Sequence, residues 1–291
     1  MSEGVSVIIP VHNEENSIRE TAVKISMQLE KATSSFEIFI VDDGSNDRTA
    51  VELEKICSKN IKVITHMDNR GYGAALKSGI KNAQYECIVI TDADGTYPND
   101  RIPELVKTFQ DGDYDMVVGA RIANKVKIPL IRKPAKWFIT KLASYLTGTK
   151  IPDLNSGLRV MRKGIVEKYI RILPDGFSFT STITLVMLTN GYSTKYVPID
   201  YFKREGKSKI RPIRDTLNFV QLIIRTVLYF NPLTFFIPLS LFFVLLAFTV
   251  LFGSWLLLGK AMDVSFAVIL MTSVIIMAIG MLADLINKRI E

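Results

Sequence analysis

Two apolar runs near the end of this 291-residue chain, Leu233–Leu258 and Val264–Ile286, restrict its fold more than any other feature. At about 1.5 Å of rise per residue, each forms a helix longer than the ~30 Å hydrocarbon core of a bilayer. Neither carries the polar stripe of a helix lying on a soluble core. A backbone crossing lipid must satisfy its own hydrogen bonds, so both runs are read as helices joined by the polar turn Gly259-Lys260-Ala261-Met262-Asp263. Lys207, Lys209, Arg211, Arg214 and Arg225 precede the first run, and Lys288 and Arg289 follow the second. The positive-inside tendency then puts both termini, and everything before the hairpin, in the cytoplasm. Asp284 stands one helical turn before Lys288 and can pair with it near the interface. The expectation is an integral membrane protein with a transmembrane hairpin over 230–291, its spans at about 233–258 and 264–286.

Residues 1–210 read differently. Val5–Val11, Glu37–Val41, Lys62–His66, Glu86–Thr91 and Met116–Val118 are short apolar runs with the character of buried strands. Helical patterns lie between them, over Ser17–Lys31, Asp47–Lys59, Gly73–Asn82 and Asp100–Asp111. This alternation predicts an α/β domain, a mostly parallel sheet with helices on both faces. Ligands of such sheets sit beyond the carboxyl ends of the strands. Polar clusters fall there: His12–Glu15 after the first strand, Asp42–Asn46 after the second, Asp92–Asp94 after the fourth. The N-terminal "MSEGVSVIIPVHNEEN" has an acidic residue before a short apolar run and no small-residue cleavage site, so it is read as a first strand and not a signal peptide. Cys57 and Cys87 lack the spacing of a zinc site or disulfide framework, which fits a reducing cytosol.

Much of the net charge of +7 is concentrated in one region. Between Met116 and Pro152 there is no Asp or Glu, while Arg121, Lys125, Lys127, Arg132, Lys133, Lys136, Lys141 and Lys150 alternate with Ile131, Trp137, Phe138, Leu142 and Tyr145. A basic amphipathic segment over 121–150 suits an anionic membrane surface. A solvated basic face or a nucleic-acid patch would have the same composition; the apolar tail favours the bilayer, and no nucleic-acid motif appears. A second amphipathic helix is expected over 211–229, where Leu217, Val220, Ile223, Ile224 and Val227 recur at helical spacing. It would hold the soluble domain against the membrane.

The stretch "IVITDADGTYP" (88–98) ends a buried strand with Asp92 and Asp94 one residue apart. Two neighbouring carboxylates repel, and a hard cation relieves that repulsion. Mg²⁺ or Mn²⁺ needs only one or two protein carboxylates when substrate phosphates and water complete its shell. An ion so placed stabilises a departing diphosphate as charge builds on it.

These segments resemble a family. "VSVIIPVHNEEN" (5–16), "IVDDGSNDRT" (40–49), "NRGYGAALKSGI" (69–80), "ITDADGTYP" (90–98), "MVVGAR" (116–121), "DLNSGLRVMRK" (153–163) and "YFKREGKSKI" (201–210) fall in the order of family 2 glycosyltransferases with the Rossmann-like GT-A fold. Within that family the chain is most similar to the polyprenyl-phosphate glycosyltransferases, the group that includes dolichol-phosphate mannose synthases. The resemblance implies inverting transfer of a sugar from a UDP- or GDP-linked donor to a dolichyl or undecaprenyl phosphate. It implies that Asp92 and Asp94 hold the metal and, with Asp153 and Arg204, form the catalytic set. Pro10, His12, Glu14, Asp42, Asp43 and Ala93 would line the nucleotide, joined by Ser208 and Lys209 on a closing loop. Ser156-Gly157 would sit by sugar and acceptor. Arg121, Arg132 and Lys136 would take the lipid phosphate. Lys136 stands where this group has a serine, and Thr96 stands where its metal loop has a glutamine.

A lipid monophosphate is largely dianionic near neutral pH, so it is already a nucleophile and needs docking cations more than a base. Asp153 is therefore expected to position or polarise. His12 and His66 are expected to hydrogen-bond within the fold, and "GYGAALKSG" (71–79) to form a helix N-terminus, since Leu76 breaks a G-x-G-x-x-G pattern. Other readings remain at this stage: a transferase acting on another lipid or glycan, a non-catalytic membrane adaptor, and, disfavoured by the missing Q-x-x-R-W motif, a processive polysaccharide synthase. The sugar, the nucleotide base, the prenyl chain and a homo-oligomeric state are left open.

Overall fold

The computed structural model describes residues 4–56, 58–122, 133–202 and 212–290. In chain order the elements are β1 (Val5–Val11), α1 (Ile18–Ala32), β2 (Phe36–Asp43), α2 (Thr49–Glu54), β3 (Ile61–His66), α3 (Tyr72–Asn82), β4 (Cys87–Ile90), α4 (Ile102–Asp111), β5 (Met116–Ala120) and α5 (Lys133–Thr147). They continue as β6 (Arg159–Arg162), α6 (Lys163–Tyr169), α7 (Phe179–Thr189), β7 (Thr194–Pro198), α8 (Pro212–Phe230), α9 (Leu233–Leu258) and α10 (Asp263–Ile290).

The strands form a seven-stranded sheet in the order β3-β2-β1-β4-β6-β5-β7. All neighbours are parallel except at β6, which runs antiparallel to both β4 and β5. Every residue of β1, β2, β4 and β5 is buried, as strands covered on both faces require. One apolar cluster places Ile18, Ala22, Ile25 and Leu29 of α1 and Leu105 of α4 against one face. A second places Leu76 and Ile80 of α3 and Phe179, Ile183 and Met187 of α7 against the other.

The expected strands and helices are present with shifted ends. β2 runs on to Asp43 because Asp42 and Asp43 pair with Thr65 and His66 of β3. α2 spans only Thr49–Glu54 instead of 47–59: Asp47 accepts the Thr49 amide (2.9 Å) in a local turn, and the chain must turn again to enter β3 at Ile61. Strands β6 and β7 were not anticipated. β6 has only Val160 and Met161 between two arginines, too short a pattern to read.

A third apolar cluster joins Ala143 and Leu146 of α5, Ile151, Leu154, Leu185 of α7 and Ile223 of α8. The helices expected at the membrane surface therefore commit one face to the soluble domain. α9 coincides with the first expected span, and α10 extends past the second. The two pack on each other through the Ser240 and Ser273 hydroxyls (3.0 Å) and the close seating of Gly280 under Phe236. Both are long and apolar enough to cross a membrane, with only 6% and 11% of their apolar windows buried within the protein. A soluble core helix would be covered. Leu257 and Val264 stand 83% and 79% exposed, apolar surface that belongs in lipid. The chain is thus a membrane protein, and Asp284 pairs with Lys288 at 2.8 Å as expected.

Ile223→Ala should open a cavity where α8 docks on α7 and α5. A loss of about 2–5 kcal/mol is expected, read as a lower Tm of the detergent-solubilised chain with the hairpin helices still folded by circular dichroism.

Candidate active site

β1 lies between β2 and β4, and the path of the chain diverges there, toward β3 on one side and toward the rest of the sheet on the other. Such a switch point opens a crevice at the carboxyl ends of the strands. Pro10 sits at its base. The Ile8 carbonyl accepts the Thr91 amide (3.3 Å), so the polar groups of Ile8 face β4. Pro10, two residues on, faces the same way but lies beyond Ile90, where β4 ends. No ladder bond is lost by lacking an N–H there.

The end of β2 is fixed mainly by Asp43. Its Oδ1 accepts from His66 Nδ1 (2.7 Å) and the Arg70 amide (3.0 Å), and its Oδ2 from the Gly71 amide (2.7 Å). Ser78 Oγ completes His66 at 2.9 Å. Asp43 therefore ties β2 to the turn before α3, with its carboxylate engaged inside the fold. Gly71 makes that turn at φ 103°, a conformation that favours glycine. Asp42 Oδ1 accepts the Ser45 amide (3.1 Å), His12 Nδ1 donates to the Asp43 carbonyl (3.0 Å), and Glu14 Oε2 accepts from Ser17 Oγ (3.2 Å).

Asp92 and Asp94 stand at the end of β4, both half-buried. Tyr72, the first residue of α3, donates its hydroxyl to Asp92 Oδ1 at 3.0 Å. Burial, reinforced by the Asp92 charge, pushes the Tyr72 pKa well up, so it remains a donor. Thr96 closes a tight turn on Asp94 Oδ1 through its amide (3.1 Å) and hydroxyl (2.6 Å). Ala93, buried between them, offers its carbonyl to Thr21 of α1 (3.2 Å).

The loop before β6 closes directly on this pair. A Cβ at Gly157 would lie 2.8 Å from Asp92 Oδ1 and 2.9 Å from Oδ2. The Gly157 amide donates to Tyr97 Oη at 2.6 Å. Ser156, fully buried, donates its hydroxyl to the Gly119 carbonyl. Asp153, also fully buried, meets Arg121 at the end of β5 in a bidentate pair: Nε to Oδ2 2.7 Å, Nη2 to Oδ1 2.9 Å, with the Arg121 amide on Oδ2 at 3.0 Å. Burial works against the Arg121 charge, and the hydrogen-bonded Asp153 carboxylate more than offsets it, leaving its pKa above the usual range. The guanidinium also lies over the Tyr201 ring (5.2 Å), and the Phe202 amide donates to the Thr96 carbonyl (2.9 Å). Tyr201 and Phe202 thus lie beside Arg121 and the turn that follows the acidic pair.

Arg204, Ser208, Lys209 and Arg132 lie outside the described residues, and Lys136 is placed on α5 without a described side chain. One residue that sequence reasoning missed is Arg159. It is fully buried, yet its Nε and Nη2 donate to the Ser156 carbonyl and its Nη1 to the Thr180 carbonyl (2.9 Å) and Thr184 Oγ1 (2.8 Å). Burial pulls its pKa down, but a guanidinium stays protonated, and these oxygens solvate it. The only signal was an arginine inside the quoted "DLNSGLRVMRK" segment. Cys87 is excluded as a nucleophile: burial pushes its thiol up to about 12.

Among the described residues no three His, Cys, Asp or Glu side chains cluster as a metal cage. The Asp92–Asp94 pair, oriented by hydroxyl and amide donors, fits a cation that completes its shell with water and substrate phosphate.

A mostly parallel sheet with an acidic pair at this switch point defines the class, a GT-A glycosyltransferase domain. The chain belongs to glycosyl transferase family 2, whose family model matches residues 6–170. It is 34% identical over 213 residues to the undecaprenyl-phosphate 4-deoxy-4-formamido-L-arabinose transferase of Pectobacterium atrosepticum, covering 71% of this chain and 62% of the relative. It is 30% identical over 220 residues to the dolichol-phosphate mannosyltransferase of Pyrococcus furiosus (71% and 59%). It is 27% identical over 227 residues to the dolichyl-phosphate hexose transferase of Haloferax volcanii (78% and 95%). The chain thus spans about three fifths of the first two relatives and nearly all of the third. Among solved structures, glucosyl-3-phosphoglycerate synthase from Mycobacterium tuberculosis with Mn²⁺, UDP-glucose and phosphoglyceric acid aligns with a TM-score of 0.58 at 15% identity, over 78% of this chain and 80% of that one. Mannosyl-3-phosphoglycerate synthase from Rubrobacter xylanophilus aligns with a TM-score of 0.55 at 19% identity (77% and 72%). These likenesses establish the fold.

Gly157→Ala should push the Asp92 carboxylate off its seat. A crystal structure of the variant is expected to show the Tyr72–Asp92 bond broken, with a stability loss of about 1–3 kcal/mol from overpacking.

Proposed function

We propose that this protein transfers one sugar, with inversion, from a nucleotide-diphosphate donor to a polyprenyl phosphate at the cytoplasmic face of a membrane. The observation that carries this reading is the meeting of Asp92 with the 153–157 loop and its Arg121–Asp153 pair, at one sheet edge of a domain built onto a two-helix membrane hairpin. The relatives named as undecaprenyl-phosphate and dolichol-phosphate transferases support the acceptor class. The structural neighbour crystallised with Mn²⁺ and UDP-glucose supports a nucleotide donor and a divalent ion.

In this reading Asp92 and Asp94 would hold Mg²⁺ or Mn²⁺, which would supply charge neutralisation to the leaving diphosphate. Pro10 and Asp42 border the nucleotide side of the crevice. Arg121 presents Nη1, which has no hydrogen-bond partner among the described residues, while Nε and Nη2 are committed to Asp153 and Asn155. That nitrogen is suited to docking a lipid phosphate oxygen, with Arg132 and Lys136 supplying further charge. Asp153 fixes the arginine and abstracts no proton, because the phosphate arrives ionised. Arg204, Ser208 and Lys209 close over the donor from the segment that starts beside Thr96. The basic flanks of the hairpin favour cytoplasmic termini.

Incubating the purified chain with a panel of nucleotide sugars, Mn²⁺ or Mg²⁺, and undecaprenyl or dolichyl phosphate should yield a glycosylated prenyl phosphate by mass spectrometry of the lipid fraction. Label found only in water-soluble product would refute the acceptor. A chelator should abolish turnover reversibly, and Asp92→Asn or Asp94→Asn should lower kcat by about 10²-fold or more.

Asp153→Asn should leave Arg121 buried without its counter-charge, lowering both activity and stability, the latter by about 3–5 kcal/mol. Its residual rate should not recover as pH is raised; recovery at high pH would assign Asp153 a base role instead.

A further inference from the structure

A cavity of about 470 Å³ lies where the soluble domain meets the hairpin, walled by residues of α6 and α8, the turn after α7, and the end of α10. Nothing in the transfer reaction uses it. Among the described residues its cations are Lys168 and Arg171, both exposed, and no acidic side chain lines it. Among the described residues neither cation pairs with a carboxylate; Lys168 Nζ rests 5.3 Å from the Tyr169 ring instead. The aromatic wall is built edge to face, with Tyr169 against Tyr192 (6.2 Å) and against Phe230 (5.8 Å).

The ends of the hairpin lie at this cavity. Phe230 closes α8 just before α9 begins at Leu233, and Asn287 stands near the end of α10. Asn287 Nδ2 donates to the Tyr229 carbonyl (2.6 Å) and the Leu228 carbonyl (3.2 Å), locking the end of α8 to the end of α10. Both ends of the hairpin therefore border one basic, aromatic-walled cavity, which an embedded hairpin would hold at headgroup level. Tyrosine and phenylalanine rings with Lys and Arg heads are the side chains that suit this layer, and the abundant anion there is the lipid phosphate.

We infer that this cavity binds the headgroup of an anionic phospholipid, with Lys168 and Arg171 taking its phosphate and the Tyr169–Tyr192–Phe230 wall taking its glycerol and upper acyl chain. The bound lipid would set the angle between the domain and the bilayer. The inference rests on the hairpin being embedded, and not on the transfer reaction.

The test uses the full chain in nanodiscs of phosphatidylcholine alone or mixed with phosphatidylglycerol. Native mass spectrometry should find phosphatidylglycerol retained in preference to phosphatidylcholine, and Tm should rise with phosphatidylglycerol content. Lys168→Gln/Arg171→Gln should weaken phosphatidylglycerol retention about thirtyfold, equivalent to about 1 kcal/mol per cation. Lys168→Arg/Arg171→Lys should keep it, which separates lost charge from misfolding. Sugar transfer to a short, water-soluble prenyl phosphate in phosphatidylcholine discs should be unchanged in both variants, so this result stands apart from the reading of the active site. Equal retention of the two lipids, unchanged retention in the glutamine variant, or displacement of phosphatidylglycerol by an equal concentration of inorganic phosphate would overturn the inference.

Discussion

Two arginines, Arg159 fully buried and Arg121 half-buried, hold the loop on which the site is built. Arg121 grips Asp153 from the end of β5, and Arg159 grips the Ser156 carbonyl from the start of β6. Each is costly to desolvate; Arg159 is tolerated because its donors meet oxygens in fixed positions, and Arg121 because Nε and Nη2 meet the Asp153 carboxylate. Between them the loop is pressed onto β4 closely enough that Gly157 has no room for a side chain beside Asp92. The acidic pair therefore owes its place to one charge on the antiparallel strand β6 and one at the end of β5 beyond it.

That insertion has a second consequence. β6 enters the sheet against the direction of its neighbours, so its first residue, Arg159, lies at the catalytic edge of the sheet while its last, Arg162, lies opposite Cys87 at the start of β4. The chain reaches α6 and α7 from there, and α7 supplies Thr180 and Thr184 to Arg159 on one side and Leu185 to the α5–α8 cluster on another. One helix thus couples the site to the elements that lead into the hairpin.

Much of this was legible in the sequence. The parallel strands of the first half, the spans, the acidic pair and the family were all readable, because apolar periodicity and run length depend on neighbours along the chain. Asp43 shows where such reading stops. Its place at the end of a strand suggested a ligand contact, and only the fold revealed that its carboxylate also accepts from His66, Arg70 and Gly71. Thr96 is the converse case: a departure from the family's metal loop that, in three dimensions, orients Asp94 with its own hydroxyl.

By itself, the sequence determined that this protein has an α/β domain with chemistry at its strand ends and a tail that belongs in lipid, since those follow from local pattern and hydropathy. Only the tertiary structure decided that Arg121 belongs to Asp153, that Arg159 is buried on the Ser156 and Thr180 carbonyls, and that Tyr72 and Gly157 meet at Asp92. The physical reason is that hydrogen-bond and ion-pair partners are chosen by distance in space, and residues 32 or 65 positions apart acquire that distance only when the sheet assembles.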